Sequence, residues 1–408
     1  MEKDQIKKVE ILAPAGNFEK LKTAIHFGAN AVYLGGKNFS LRSFADNFDE
    51  EEMKQAVAYA HAHGVKAYVT VNIFAKEGDL QPAAAYFRFL EEIGADAVLV
   101  TDPGLMLIKN EVAPKLPLHV STQANTLNSA AIRLYRKLGA TRVVLARELS
   151  FAEIAEIRGK IPRDMELEAF VHGAMCISYS GRCLLSNYFT SRDANRGECV
   201  QACRFRYALT EEQSGLPLGV EEDKRGTYFL SGKDLCLAKY LKTLADAGVC
   251  SFKIEGRMKS EFYLATVVSA YRKAADVFAA GGTALPEEVF DLLDLAAHRP
   301  YTTAYALGDN AETVNYKTGG TDGAGVFLAV VKSAEKGRVT VEMRNRFFAG
   351  ERVAALCGSP GFSQKTFVMP EMKNASGEVV TDARLVQELL TFDSPVPLSP
   401  GDILYRKK

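Results

Sequence analysis

Eight short, nearly continuous apolar runs, alternating with amphipathic stretches and introduced by a recurring glycine, predict the α/β class in the form of a TIM-like (β/α)8 barrel. The recurrence is specific: Gly28-Ala29 precedes AVYLGG, Gly64-Val65 precedes KAYVTVN, Gly94-Ala95 precedes AVLVTD and Gly139-Ala140 precedes RVVLAR. A glycine at each of these places stops a helix, and the run that follows reads as a parallel strand covered on both faces. A doubly wound sheet is the alternative, but it does not call for eight strands. At 408 residues the chain also exceeds a barrel of roughly 250 residues, so a second domain is expected.

Taken in order, the strands and their ends supply the candidate site, because such barrels place their chemistry where strands pass into the following loops. EILAPAG ends at Pro14 and Gly16-Asn17, AVYLGG leads to Gly35, Gly36 and Arg42, and KAYVTVN ends near Asn72. AVLVTD ends at Asp102, PLHVSTQ at Gln123 and RVVLAR at Arg147-Glu148. ELEAFVHG ends at His172, and SFKIEGR supplies Lys253, Glu255 and Arg257. Alternation puts Glu166, Glu168, Phe170 and His172 on one face, toward the barrel interior. The acid–base candidates are His172, Glu168 and Glu255; the candidates for gripping a ligand are Arg147, Arg257, Lys253, Arg42 and Gln123. Against this, Glu168 and Glu255 would equally serve by pairing with Lys253 or Arg147 and filling the barrel.

Every strand but the seventh is followed promptly by a helix-like segment; SEFYLATVVSAYRKAADVF after the eighth has apolar residues three and four apart. After the seventh, a cysteine-rich stretch and a loop to Phe229 intervene before KDLCLAKYLKTLADAG closes the unit as a helix. Residues 1–280 are thus read as the barrel with a cysteine-rich insertion at 174–228, and 281–320 as a linker with a short helix. From 321 to 408, period-two alternation with turns at Lys336-Gly337 and Ala349-Gly350 predicts a small antiparallel β-barrel.

Composition excludes several classes. Lysine plus arginine balance aspartate plus glutamate at 50 each, so no global field draws the chain to nucleic acid, and RNA contact has to be local. One local candidate is Arg182, Arg192, Arg196, Arg204 and Arg206, interleaved with Tyr179, Tyr188, Phe189, Phe205 and Tyr207. No apolar run approaches the roughly 20 residues of a membrane span, and MEKDQIKKVE is charged where a signal peptide needs an apolar core. A cytoplasmic protein with reduced thiols is expected, with no membrane partner.

Four of the seven cysteines, Cys176, Cys183, Cys199 and Cys203, stand in a C-x6-C-x15-C-x3-C arrangement. Structural zinc prefers cysteines two to four apart, which only Cys199 and Cys203 satisfy, whereas iron–sulfur clusters tolerate wider spacing. The spacing therefore favours a 4Fe-4S cluster over zinc, with four buried thiols as the bland alternative. Cys236, Cys250 and Cys357 read as structural residues of a helix, a strand and the β-domain. No H-E-x-x-H, G-x-S-x-G or Walker A run is present.

The stretch EAFVHGAMCISYSGRCLLS resembles the signature of the collagenase-like peptidase family of unknown catalytic type. LAPAGNFEKLKTAIHFGANAVYLGG, STQAN, FKIEGRMKS and HRPYTTAY are similar to the same family, so the likeness runs over nearly the whole chain. The resemblance implies either collagen-degrading activity or support of RNA hydroxylation, at a transfer-RNA wobble uridine or a ribosomal cytidine, with prephenate and iron–sulfur assembly involved; other members assist quinone-ring hydroxylation. It carries the cluster-ligand role to Cys176, Cys183, Cys199 and Cys203. Length and a β-domain similar to translation-factor barrels place the chain nearest the members that hydroxylate transfer RNA to 5-hydroxyuridine. The partners so implied are the tRNA anticodon region and a paired family member or iron–sulfur assembly proteins. A peptidase, and a cluster-carrying scaffold for a separate hydroxylase, are the competing readings.

Overall fold

The computed structural model describes residues 9–41, 46–205, 231–308, 313–315, 320–358 and 362–408. Its strands in chain order begin with β1 (Glu10–Pro14), β2 (Ala31–Gly35), β3 (Lys66–Val71), β4 (Ala97–Val100) and β5 (Leu118–Val120). They continue with β6 (Ala140–Val144), β7 (Glu166–Ala174), β8 (Asp234–Cys236) and β9 (Val249–Ile254). β1 to β7 and β9 pair in parallel, and β9 closes the ring by pairing with both β1 and β7. This is the (β/α)8 barrel that the eight apolar runs predict.

The helices are α1 (Phe18–His26), α2 (Glu50–Ala62), α3 (Leu80–Glu92), α4 (Pro103–Val112) and α5 (Ser129–Lys137), then α6 (Phe151–Lys160), α7 (Leu185–Thr190), α8 (Leu241–Asp246), α9 (Glu261–Ala279) and α10 (Glu287–Leu295). The junction glycines behave as expected: Gly28, Gly64, Gly94 and Gly139 take φ of +102, +69, +76 and +82°, the left-handed conformation that ends a helix. Two apolar layers result. Outward-facing strand residues such as Ile11, Val32, Val69, Val98 and Val143 pack with the helices, while Leu12, Tyr33, Tyr68, Leu99 and Val144 fill the barrel.

Two features depart from the sequence reading. KDLCLAKY begins as a strand, so Cys236 lies in β8, which pairs antiparallel with the outer end of β7 before α8 starts. Its apolar spacing also suits a helix, and only pairing with a distant strand decides the matter. The second is a bulge in β7: Phe170 pairs with Lys253 but His172 with Ile254, two residues against one. Alternation breaks there. Glu166, Glu168 and Phe170 keep the inward face, whereas His172 turns out of the barrel among Tyr263 and Tyr271 of α9 and Tyr301.

Beyond α10, β10 (Tyr301–Thr302) pairs with β8, and the C-terminal part is antiparallel. β11 (Gly325–Glu335), β12 (Arg338–Met343), β13 (Phe347–Phe348), β14 (Arg352–Cys357), β15 (Ser363–Val368) and β16 (Met372–Lys373) come first. β17 (Val379–Val380), β18 (Asp382–Ala383), β19 (Leu389–Asp393) and β20 (Ile403–Lys407) follow. Eight of these form one sheet in the order β15-β14-β20-β11-β12-β19-β16-β17, around a core including Leu328, Val341, Phe347, Leu390 and Leu404; β13 and β18 form a small ribbon. The turn between β11 and β12 places Lys336 and Gly337 at φ +50 and +87°, as a tight hairpin requires.

This sheet sits on α1 and α9. Phe262 stacks on Phe327 at 5.7 Å and lies 5.6 Å from Tyr405, and His26 Nε2 is 2.9 Å from Asp402 Oδ1. Gly358 and Gly401 leave the space that the His26 ring occupies.

Candidate active site

Charges inside the barrel form one network. Arg142 Nη1 donates to Glu10 at 2.6 Å and to Glu168 at 3.1 Å, Lys253 Nζ donates to Glu168 at 2.7 Å, and the Tyr68 hydroxyl donates to Glu10 at 2.7 Å. Burial alone would raise the Glu168 carboxyl, but Lys253 and Arg142 outweigh it and hold the group below the usual carboxylate range. Both Glu168 oxygens are engaged and the residue is fully buried. This arrangement fills and orders the barrel.

Above it, at the C-terminal ends of the strands, lies a narrow cavity of about 50 Å³. Gln123, Arg147, Lys253, Glu255 and Arg257 all line it, together with Tyr33, Thr70, Asn72 and Phe170. Five sequence candidates therefore meet at one place. Arg257 is buried; its Nη1 donates to Ser40 Oγ at 2.6 Å and Thr70 Oγ1 at 3.2 Å, and its Nη2 donates to Asn47. Gly35 makes this possible, since a Cβ there would overlap the guanidinium. Arg147 lies 3.8 Å over the Phe170 ring and donates to the Ala174 carbonyl at 2.8 Å. Gln123 Oε1 accepts from Ser121 Oγ at 2.5 Å and Asn72 Nδ2 at 3.4 Å, so its amide nitrogen is the end left to donate.

The remaining candidates fall elsewhere. Glu168 belongs to the network below and His172 to the outer side of the wall; of the three acid–base candidates only Glu255 borders the cavity. His172 is buried, 3.3 Å from the Tyr271 hydroxyl, and its Nε2 has no hydrogen-bond partner among the described residues. Burial pulls its imidazole down to about 3, so the ring is neutral in physiological conditions. Arg42 lies outside the described residues, as do Arg206 and Tyr207. Residues that the sequence reading did not single out are Glu10 and Arg142, each a charge at an inward position of an apolar strand, and Ser40 and Asn47, loop residues with no periodic signal.

The cysteine insertion is pinned to the same mouth. Arg196 grips Asp79 with both terminal nitrogens at 2.7 and 3.2 Å, the Ser180 amide and hydroxyl donate to Glu148 at 2.6 and 2.9 Å, and Arg182 Nε donates to the Gln123 carbonyl at 2.7 Å. Two of the arginines expected to meet RNA thus anchor the insertion instead. Its exposed face carries Leu184, Tyr188 and Phe189, with Tyr188 83% exposed. Arg192, Arg204, Phe205 and Cys199 border a separate open groove.

All four thiols lie in this insertion. Cys203 is pushed up to about 11, first by burial and then by Cys176, Cys199 and Cys183; Cys176 is raised by burial, with Cys183 and Cys199 adding and Arg147 opposing. The Leu185 amide donates to Cys183 Sγ at 3.3 Å and the Gln201 amide to Cys199 Sγ at 3.4 Å. Among the described residues no group of three or more His, Cys, Asp or Glu side chains surrounds a single-ion position. Four thiols with amide donors to two of the sulfurs are a donor set whose chemistry suits an iron–sulfur cluster. Arg147 links the insertion and the mouth, since it borders the cavity and donates to the Ala174 carbonyl at the start of the insertion.

Comparison with known proteins agrees with this architecture. Along 98% of the chain it is 37% identical to tRNA hydroxylation protein P1 of Bacillus subtilis, covering 96% of that protein. It is 34% identical to tRNA hydroxylation protein P of Escherichia coli, over 97% of the chain and 92% of the relative. A protein named Collagenase from Porphyromonas gingivalis is 36% identical over 67% of the chain and 66% of its own length. The model described as Peptidase family U32 matches residues 16–316, and that of the Peptidase family U32 C-terminal domain matches residues 325–404. With both parts matched in order, the barrel and its C-terminal sheet domain together make this chain a member of peptidase family U32.

Proposed function

We propose that this protein is an iron–sulfur RNA-modifying hydroxylase, required for prephenate-dependent conversion of the wobble uridine of tRNA to 5-hydroxyuridine. The observation that carries the reading is the pinning of the cysteine insertion to a cation-lined barrel mouth, where Arg147 borders the cavity and donates to the carbonyl of Ala174, two residues before Cys176, and Arg182 donates to Gln123. The tRNA hydroxylation names of relatives spanning nearly the whole chain support the same class of activity. Cys176, Cys183, Cys199 and Cys203 would hold a 4Fe-4S cluster, which when bound supplies redox capacity that peptide hydrolysis has no use for.

The residues of the mouth then have distinct tasks. Arg147 and Arg257 favour a small dianion such as prephenate, since guanidinium groups grip carboxylates in bidentate fashion, and Lys253, paired with Glu168, adds positive charge at the cavity wall. Gln123 offers an amide donor beside them, and Glu255 is the carboxylate able to exchange a proton with whatever is bound. The cavity has room for only one or two waters at about 30 Å³ each, so a ligand of this size enters only as the mouth widens. The anticodon region would lie across the insertion's exposed aromatic face and the C-terminal sheet. The experiment is mass spectrometry of tRNA nucleosides from wild type, a deletion strain and a Cys183→Ser strain. Loss of 5-hydroxyuridine derivatives in both mutants is expected. Unchanged levels in both, or collagen cleavage by cysteine-free protein, would overturn the reading.

A further inference from the structure

Next to the mouth lies a second, larger cavity of about 770 Å³, within the range of small-molecule pockets. Phe39, Tyr86 and Phe89 line one side of it; Tyr86 stacks on Phe89 at 6.0 Å and lies 5.6 Å from Phe39. Its charged residues are Lys37 and Arg196 against Glu50 and Asp79. Lys37 pairs with Asp49 at 3.1 Å and Arg196 with Asp79 at 2.7 Å, so both cations are already committed to carboxylates. A phosphate therefore has little to gain here. A neutral planar ring with hydrogen-bonding edges fits both the aromatic side and the balanced polar rim.

Two further observations mark the place as more than a gap in packing. Phe39 holds φ at +62°, a conformation that is an outlier for a bulky side chain and is retained mainly where function demands it. The Tyr86 hydroxyl is buried close to Gly36 with no hydrogen-bond partner among the described residues, an unusual state for a buried donor. Phe39 also connects the two cavities. The next residue, Ser40, borders the larger cavity and accepts from Arg257 of the mouth, while Leu41 borders the mouth itself.

We propose that this cavity receives a nucleobase of single-stranded RNA, stacked against Phe39 and Phe89, when the neighbouring nucleotide lies over the barrel mouth. The inference rests on the RNA-modifying reading and adds a second base subsite to it. The test uses a short single-stranded oligoribonucleotide with 2-aminopurine beside a central uridine, titrated into the full-length protein. Wild type should bind it and quench its fluorescence. Phe89→Leu, which keeps apolar bulk but removes the ring, should lose the quenching and weaken binding by about tenfold, within the range for one stacked base. Ala85→Met, on the exposed rim of the cavity, should obstruct the cavity without altering the core and give the same loss even if the first variant folds poorly. Binding and quenching unchanged in a folded Phe89→Leu and in Ala85→Met would overturn the base subsite and leave the RNA reading standing. No binding by wild type would overturn the RNA reading, and the subsite with it.

Discussion

Arg257 is fixed by three side chains from three separate places, Ser40, Asn47 and Thr70, so its position is set before any ligand arrives. Arg257→Ala removes these charge-assisted bonds, and a stability loss of about 2–3 kcal/mol is expected, visible as a lower melting temperature. Gly35→Ala should displace the guanidinium while leaving its charge in the protein. Both variants should bind prephenate more weakly than wild type by titration calorimetry; equal affinity in all three would remove the anion site. His172 makes a different prediction. Its folded value of about 3 lies well below the ordinary imidazole value of about 6.5. As the pH falls below about 6.5 the unfolded chain takes up a proton that the folded chain refuses, so stability declines until the folded value is reached, by up to about 1.4 kcal/mol per pH unit. His119, buried inside the barrel and also lowered by burial, acts in the same sense. Urea midpoints measured from about pH 7 to about pH 4 should fall less steeply in His172→Gln than in wild type; parallel slopes would mean that this ring is not the titrating group.

Among elements, the insertion depends on contacts outside itself. Its helix α7 has only six residues, too few for independent stability, and its anchors are Asp79, Gln123 and Glu148 on three different βα loops. Asp79→Ala should therefore loosen the cysteines without disturbing the barrel. The pair is partly exposed, so the effect is of order 1 kcal/mol, which corresponds to about fivefold faster alkylation of Cys183 and Cys199 in metal-free protein. Unaltered alkylation would show that other contacts suffice. The same scale explains what could be read in advance. Strand ends were legible because short apolar runs, four of them preceded by the glycine junctions at Gly28, Gly64, Gly94 and Gly139, mark the βα units, and the ends of these runs include Gln123, Arg147, Lys253, Glu255 and Arg257, which meet in space. The side on which His172 emerges was not legible, because a bulge depends on the register with β9 and leaves no trace in the alternation of β7 alone. β8 was hidden for a similar reason, its pairing partner lying some sixty residues earlier in the chain. The Arg257 cradle escaped because Ser40 and Asn47 sit in a loop whose sequence has no period.

Across the whole molecule, the C-terminal sheet is joined to the barrel through apolar stacking on Phe262 and one buried polar contact. Asp402 accepts from His26 and from the amides of Gly358 and Ser399. Burial would raise its carboxyl, but these donors prevail and hold it below the ordinary value. The sign follows directly: the contact contributes fully above about pH 4 and is lost as the pH drops through the lowered folded value. Asp402→Asn should lower stability at neutral pH by about 1–3 kcal/mol and reduce the acid dependence below about pH 4, as measured by thermal unfolding. A variant as stable as wild type at neutral pH would mean that the domains are held by the aromatic contacts alone.

The seam between β1 and β9 joins Glu10 to Ser251, and it cannot form until nearly the entire barrel sequence has left the ribosome. The loops that carry Asp79, Gln123 and Glu148 take their relative places only around a finished ring. Grouping of the four thiols is consequently a late step in the life of the chain, dependent on ring closure more than on their own spacing. A nascent or stalled chain offers scattered cysteines, and slow closure of so non-local a topology sets the pace at which the insertion reaches its final form.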